Sequence, residues 1–207
     1  MRNKRIILFG DSTMRQWFES MVGRWKCAYT TERKTYSTWH KRSACANTQY
    51  NFTVEWLPHS QPFYGGDDQR YTTTSIARHL DETGSNDNAI FVLYLYVHMM
   101  GYHHSLFRVK IRKIREAVER LLERNNAVKF MLRGPHTFTD PPAWKRRLSD
   151  FHALVYKHVL YEEFRVLHDK IIFLDHEDIT DAIPIDNPHP PKLIVDAMVN
   201  QILDYLC

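Results

Sequence analysis

Long apolar runs are missing from this sequence. The longest, Ala89 to Val97, falls far short of the ~20 residues that a bilayer-spanning helix needs, so no transmembrane segment is expected. Cysteine is scarce: only Cys27, Cys45 and Cys207 occur among 207 residues, with none of the spacings of a structural metal site. That number leaves three states open: one disulfide with a thiol over, three reduced thiols, or pairing with a cysteine outside this sequence. Internal repeats, low-complexity tracts and interdomain linkers are absent, which leaves one domain over residues 1–207. Concentrated charge is also lacking. The net charge of +4 is spread over scattered Lys and Arg, and no RNA-recognition or zinc-finger pattern occurs. No nucleic-acid partner is expected, although a mild basic surplus suits an anionic polymer such as an acidic glycan. Met1-Arg-Asn-Lys-Arg opens like a signal peptide, but its apolar part is too short and runs straight into Gly-Asp-Ser. The terminal Asp-Tyr-Leu-Cys is no prenylation box. Asn51-Phe52-Thr53 is a glycosylation sequon, relevant to a secreted chain.

What is present is a globular composition, 43% hydrophobic and 13% aromatic, arranged as alternating strand and helix patterns. Ile6 to Phe9 reads as a buried strand, Gly10 as a tight turn, and Met14, Trp17, Phe18, Met21 and Val22 as one face of a helix. Trp25 to Asn51 is polar and aperiodic, an irregular insertion or hairpin. Phe52 to Leu57 is a second strand, followed by a Pro/Gly-broken loop from His59 through Gly65 and Gly66, then a short helix over Ser75 to Asp81. Ala89 to Tyr96 is the best central parallel strand. Ile111, Ile114, Val118, Leu121 and Leu122 mark a helix, and Val128 to Leu132 a fourth strand. Trp144, Leu148, Phe151, Val155, Val159 and Phe164 mark a long helix, and Ile171 to Leu174 a fifth strand. Asp175 to His189 is a polar loop, and Pro190-Pro191 opens a final helix with Leu193, Ile194, Ala197, Met198 and Ile202 facing inward. The fold class that follows is α/β: three layers, a mostly parallel five-stranded sheet, helices on both faces.

In such sheets ligands sit beyond the C-terminal ends of the strands. Ser12, the Gly65/Gly66 loop, His98, the turn from Arg133 to His136, and the Asp186/His189 loop all fall there. Ser12 stands where strand becomes helix, close to unbonded N–H groups and the positive helix end that favour charge developing in acyl transfer. In Asp186-Asn-Pro-His189 a carboxylate can hold one imidazole nitrogen while the other faces a nucleophile.

Gly10-Asp-Ser after the first strand with Asp186-x-x-His189 before the last helix resembles the SGNH (GDSL-like) hydrolase superfamily. Gly10-Asp-Ser-Thr-Met-Arg-Gln-Trp, His98 after the third strand, Asp175-His-Glu-Asp-Ile-Thr, Asp186-Asn-Pro-His-Pro-Pro and the closing Leu203-Asp-Tyr-Leu-Cys207 are together similar to the PC-esterase domain of the NXPE (neurexophilin and PC-esterase) family. The resemblance spans essentially the whole chain. It implies a flavodoxin-like SGNH domain, the C-terminal part of a larger architecture, and O-acyl (acetyl) transfer or ester hydrolysis on carbohydrate hydroxyls. Ser12 is then the nucleophile, His189 the general acid/base and Asp186 its orienting acid. The oxyanion hole takes the Ser12 N–H, a donor from the glycine loop (Gly65, or Gly66 equally), and a side chain. Relatives in the superfamily place an asparagine after the third strand; here Tyr96-Val97-His98-Met99 has none, so that either His98 stands in as donor or the hole is incomplete.

Arg15, Arg133 and His136 are the candidate substrate-binding residues. No bound cofactor or metal is expected, and acetyl-CoA is a candidate acyl donor for a glycan acceptor. By resemblance the chain is secreted or resides in the Golgi lumen, whereas read without it the chain is cytosolic. The competing reading is a catalytically impaired SGNH-fold module that binds glycans or partners, favoured by the missing asparagine. The intact Ser12, Asp186 and His189 favour the enzyme.

Overall fold

The computed structural model describes residues 2–31, 41–59, 74–137, 150–183, 185 and 187–206. Their core is a seven-stranded sheet. β1 (Arg5–Gly10) lies at its centre, followed by α1 (Ser12–Trp25), β2 (Ala28–Tyr29), β3 (Ser43–Asn47), β4 (Phe52–Pro58) and α2 (Ile76–Asp81). β5 (Ala89–Leu93), α3 (His104–Arg124), β6 (Lys129–Arg133), α4 (Asp150–Phe164), β7 (Ile172–Leu174), α5 (Glu177–Asp181) and α6 (Lys192–Leu206) complete the order. The strands lie β2-β3-β4-β1-β5-β6-β7, with every pairing from β4 to β7 parallel and β2, β3 antiparallel.

The five parallel strands are those the sequence pattern marks. The two additional strands come from the Trp25 to Asn51 insertion, whose polar composition hides a hairpin-like edge. The edge is tied by a Cys27–Cys45 disulfide, with both residues buried. Of the three cysteine states open from the sequence, a disulfide within the chain is the one observed; Cys207 lies outside the described residues. Closing a loop between residues 18 apart restricts the unfolded chain. A Cys27→Ala/Cys45→Ala double variant is therefore expected to lose about 3 kcal/mol of stability, read from urea unfolding with and without reductant.

Connections explain the layers. The crossover from β1 to β4 through α1 moves one way across the sheet, and those from β4 to β5, β5 to β6 and β6 to β7 move the other way. Right-handed crossovers then set α1 on one face and α2, α3 and α4 on the opposite one. Contacts agree: α1 packs on α6, α2 on α3, and α3 on α4. Ile6, Ile7, Leu8 and Phe9 are all buried, as a strand covered on both faces requires.

Four expectations need correction. Phe151 of α4 and Leu193 of α6 are 69% and 72% exposed. α4 is apolar on several sides, so its periodicity has no single phase; Val159 and Phe164 are buried as expected, and Ala153, Tyr156 and Leu160 join them in the core. In α6 the buried stripe is Ile194, Val195, Met198, Val199 and Ile202, which turns Leu193 outward. The third parallel strand also stops at Leu93, three residues before Tyr96, and the polar loop after β7 contains α5. Trp144 and Leu148 lie outside the described residues.

Because β4 and β5 flank β1, the strand order reverses direction at β1. The crevice beyond its C-terminal end is where this topology places a ligand.

Candidate active site

The turn after β1 is built by close backbone approach. A Cβ at Gly10 would lie 2.7 Å from the Tyr94 carbonyl oxygen and 2.5 Å from Met14 Cγ, so only glycine fits. The end of β1 is stitched to both neighbours, with Tyr94 N–H donating to Phe9 O (2.9 Å) and His59 N–H to Gly10 O (3.3 Å). Asp11 caps α1: its Oδ1 accepts from Thr13 N and Thr13 Oγ1, each at 2.8 Å. Ser12 opens the helix, so its N–H has no carbonyl four residues back to bind.

Across the crevice, the loop before α6 brings His189 Nε2 to 2.6 Å from Ser12 Oγ, over a separation of 177 residues. On its other side the ring's Nδ1 lies 3.3 Å from Asn187 Oδ1, which also accepts the His189 backbone N–H at 3.1 Å. An amide oxygen only accepts, so this pairing puts the proton on Nδ1 and leaves Nε2 to accept from the Ser12 hydroxyl. Asp186 lies outside the described residues, as do Gly65 and Gly66. Asn187 is a neighbour of the histidine that the sequence reading passed over.

One helical stripe docks this loop. Ser12, Gln16, Ser20 and Arg24 recur every fourth residue, on one face of α1. Gln16 Nε2 donates to Pro190 O (2.9 Å), Ser20 Oγ to Asp196 Oδ1 (2.7 Å), and Arg24 reaches Asn200 and Asp196. The Asp196 carboxyl is held down to about 2, first by Lys192, then by Ser20. The face that presents Ser12 therefore also fixes the register of α6 and of the histidine ahead of it.

His98 sits on a short 3-10 turn (Val97–Met99) at the same edge of the sheet, its Nδ1 2.8 Å from Nε2 of the buried His59. His59, at the end of β4, is a second residue that the sequence reading missed. Arg15 is half-buried one turn along from Ser12, with Glu19 at 3.5 Å.

Arg133 and His136 correct the sequence reading, because neither is at a solvent-facing mouth. Arg133 is 1% exposed and its guanidinium lies between the rings of Trp17 (4.5 Å) and Tyr94 (4.2 Å), donating to Thr13 Oγ1 at 3.2 Å. It is the last residue of β6, where both faces of the sheet are covered, so its charge lies in the core beneath the turn. His136 is fully buried between Tyr94 OH (2.8 Å) and Pro188 O (3.0 Å). Burial, then the charge of Arg133, pushes its pKa well below the usual range, so it is neutral.

His176 is buried edge-on against Trp17, and burial, reinforced by Arg133, lowers its pKa to about 3. The unfolded chain protonates His176 near pH ~6.5 while the folded chain does not, so stability falls as pH drops from there towards about 3. The slope is up to ~1.4 kcal/mol per pH unit, and His136 adds with the same sign. A His176→Phe variant is expected to lose about 2 kcal/mol less than the parent between pH ~7.5 and ~5, measured by urea unfolding. Among the described residues, no three His, Cys, Asp or Glu side chains gather as metal ligands.

A 2-1-3-4-5 parallel sheet with a serine on the first strand-to-helix turn and a histidine from the loop before the last helix is the arrangement of the SGNH (GDSL-like) hydrolases. Solved structures share the fold across the whole chain. A carbohydrate acetylesterase from Sinorhizobium meliloti aligns with a TM-score of 0.54 at 15% identity, covering 98% of each chain. An aryl esterase from M. smegmatis aligns with 0.58 at 14%, again covering 98% of each. A carbohydrate esterase family 3 protein from Talaromyces cellulolyticus aligns with 0.52 at 12%, covering 100% of this chain and 98% of that one. The family described as NXPE family member 4-like, C-terminal domain, matches residues 1–207, and the chain belongs to it.

Proposed function

We propose that this domain is a serine-dependent O-acyl (acetyl) transferase or esterase acting on carbohydrate hydroxyls through an acyl-Ser12 intermediate. The observation that carries this reading is the 2.6 Å approach of His189 Nε2 to Ser12 Oγ at the point where the strand order reverses. His189 takes the Ser12 proton as Oγ attacks the acyl carbonyl, and returns it to the leaving group as the tetrahedral intermediate collapses. A second hydroxyl, from water in an esterase or from a sugar in a transferase, then gives its proton to His189 and attacks the acyl-serine, and His189 passes that proton to Ser12 Oγ as the acyl–Oγ bond breaks. The Ser12 N–H at the positive end of α1 and the His98 ring are the donors offered to the oxyanion, with Gly65 of the glycine loop as the third. Asp186 orients His189 alongside Asn187, and Arg15 faces polar or anionic substrate.

A carbohydrate acetylesterase and a carbohydrate esterase of the same fold support the substrate class, and acetyl-CoA is the candidate donor if the reaction is a transfer. A secreted or Golgi-lumenal location is supported by the Cys27–Cys45 disulfide and by the exposed sequon at Asn51. No helix among the described residues is long and apolar enough to cross a membrane. The test is covalent labelling with a fluorophosphonate probe. The parent domain is expected to label and Ser12→Ala to stay unlabelled while folding normally by circular dichroism; a folded parent that stays unlabelled overturns the proposal.

A further inference from the structure

The Pro188–His189 peptide plane is gripped at both ends. Its carbonyl oxygen lies 3.0 Å from His136 Nε2, and its N–H donates to Asn187 Oδ1 at 3.1 Å. Two residues on, the carbonyl of Pro190 accepts from Gln16 of α1. The backbone on both sides of the His189 Cα is therefore fixed, although the ring itself is exposed. Of these grips the one from His136 is the most deeply buried and has its direction set by chemistry. A carbonyl oxygen only accepts, so His136 Nε2 must carry the proton, and a neutral imidazole then has a bare Nδ1. Tyr94 fills it: its hydroxyl, 2.8 Å away in a fully buried ring, must donate. Tyr94 is itself held face-on by Arg133, which also donates to Thr13, the residue after Ser12. A continuous path, buried as far as His136, thus joins the turn that carries Ser12 to the loop that carries His189: Thr13, Arg133, Tyr94, His136, Pro188.

We propose that His136 is a positioning residue for His189: its Nε2–H clamps the Pro188 carbonyl, Tyr94 fixes the tautomer that allows this, and the clamp sets the distance from His189 Nε2 to Ser12 Oγ. The inference rests on the acyl-serine reading for its effect on activity, but the clamp itself is observable without it. Burial and the charge of Arg133 keep the ring neutral, so Nδ1 stays free of a proton and goes on accepting from Tyr94 where an exposed histidine would be protonated.

The experiment compares His136→Leu, His136→Gln and Tyr94→Phe in the whole 207-residue chain. The leucine side chain fills space but offers no donor, whereas the glutamine amide can place an N–H near the Nε2 position. The fluorophosphonate labelling rate of Ser12 is expected to fall about 100-fold in His136→Leu, the scale of an ångström-sized misplacement. Recovery to within about tenfold of the parent is expected in His136→Gln, with an intermediate loss in Tyr94→Phe. Labelling of folded His136→Leu at the parental rate, or glutamine no better than leucine, overturns the proposal. Should leucine prevent folding, the glutamine and Tyr94→Phe variants carry the comparison.

Nitrogen-15 imidazole spectra give the readout that does not depend on labelling. The parent is expected to show His136 protonated on Nε2 and bare on Nδ1 from pH ~5 to ~8, with His189 ring resonances displaced in Tyr94→Phe. A proton on His136 Nδ1, or His189 resonances unmoved by that variant, overturns the clamp. If the folded parent resists labelling while these spectra come out as expected, the acyl-serine reading fails and the clamp stands.

Discussion

A His189→Ala variant is expected to lose roughly six orders of magnitude in turnover of an activated ester such as p-nitrophenyl acetate, the scale seen when a serine-hydrolase base is removed. A serine hydroxyl is a weak nucleophile at neutral pH, and the only described side chain bonded to Ser12 Oγ is His189 Nε2 at 2.6 Å. With the imidazole gone, the proton on Oγ has nowhere to go as the bond to the acyl carbon forms. Because Ser12 and His189 act as one unit, Ser12→Ala/His189→Ala should be no slower than either single variant. The fold should survive: His189 is exposed, and the loop keeps its attachments through Pro188 O to His136 and Pro190 O to Gln16. Turnover within about tenfold of the parent would remove His189 from the mechanism.

Arg133→Ala is expected to cost about 3–5 kcal/mol of stability and to lower the melting temperature by about 10 °C. The guanidinium fills the space between Trp17 and Tyr94 and donates to Thr13 and to the sulfurs of Met14 and Met198. Truncation opens a cavity under the turn and removes the positive charge facing the buried Asp11 cap. Arg112 is the control: it is half exposed in its ion pair with Glu163, and Arg112→Ala should change stability by at most about 1 kcal/mol. A loss below about 1 kcal/mol for Arg133→Ala would show that the buried cation is not structural. Since Arg133 belongs to the path that ends at Pro188, the folded fraction of this variant is also expected to label more slowly.

Much of this architecture was legible because its signals are local. The alternation of apolar runs with helical stripes identifies the five parallel strands, since strands buried on both faces must be apolar throughout. Gly10-Asp11-Ser12 reads as a strand-to-helix turn because glycine, cap and hydroxyl each answer a short-range demand of the backbone. The loop before α6 is equally clear, since proline and the start of a helix constrain it from within. Other features were hidden because they are relations between distant parts of the chain. Nothing local in Arg133-Gly-Pro-His136 says that both side chains turn into the core; an arginine and a histidine after a strand read as pocket residues until Trp17, Tyr94 and Pro188 are seen around them. His59 and His98 lie 39 residues apart and meet only because β4 and β5 flank β1.

The sequence by itself thus determined the α/β class, the parallel strands and the two segments that meet in the crevice, because period, turn chemistry and chain order follow from neighbouring residues. The tertiary structure alone decided which groups face each other there. It set Ser12 against His189 and Asn187 against His189, and it sent Arg133 and His136 inward, since burial and hydrogen-bond partners are properties of the packed sheet and not of any one segment.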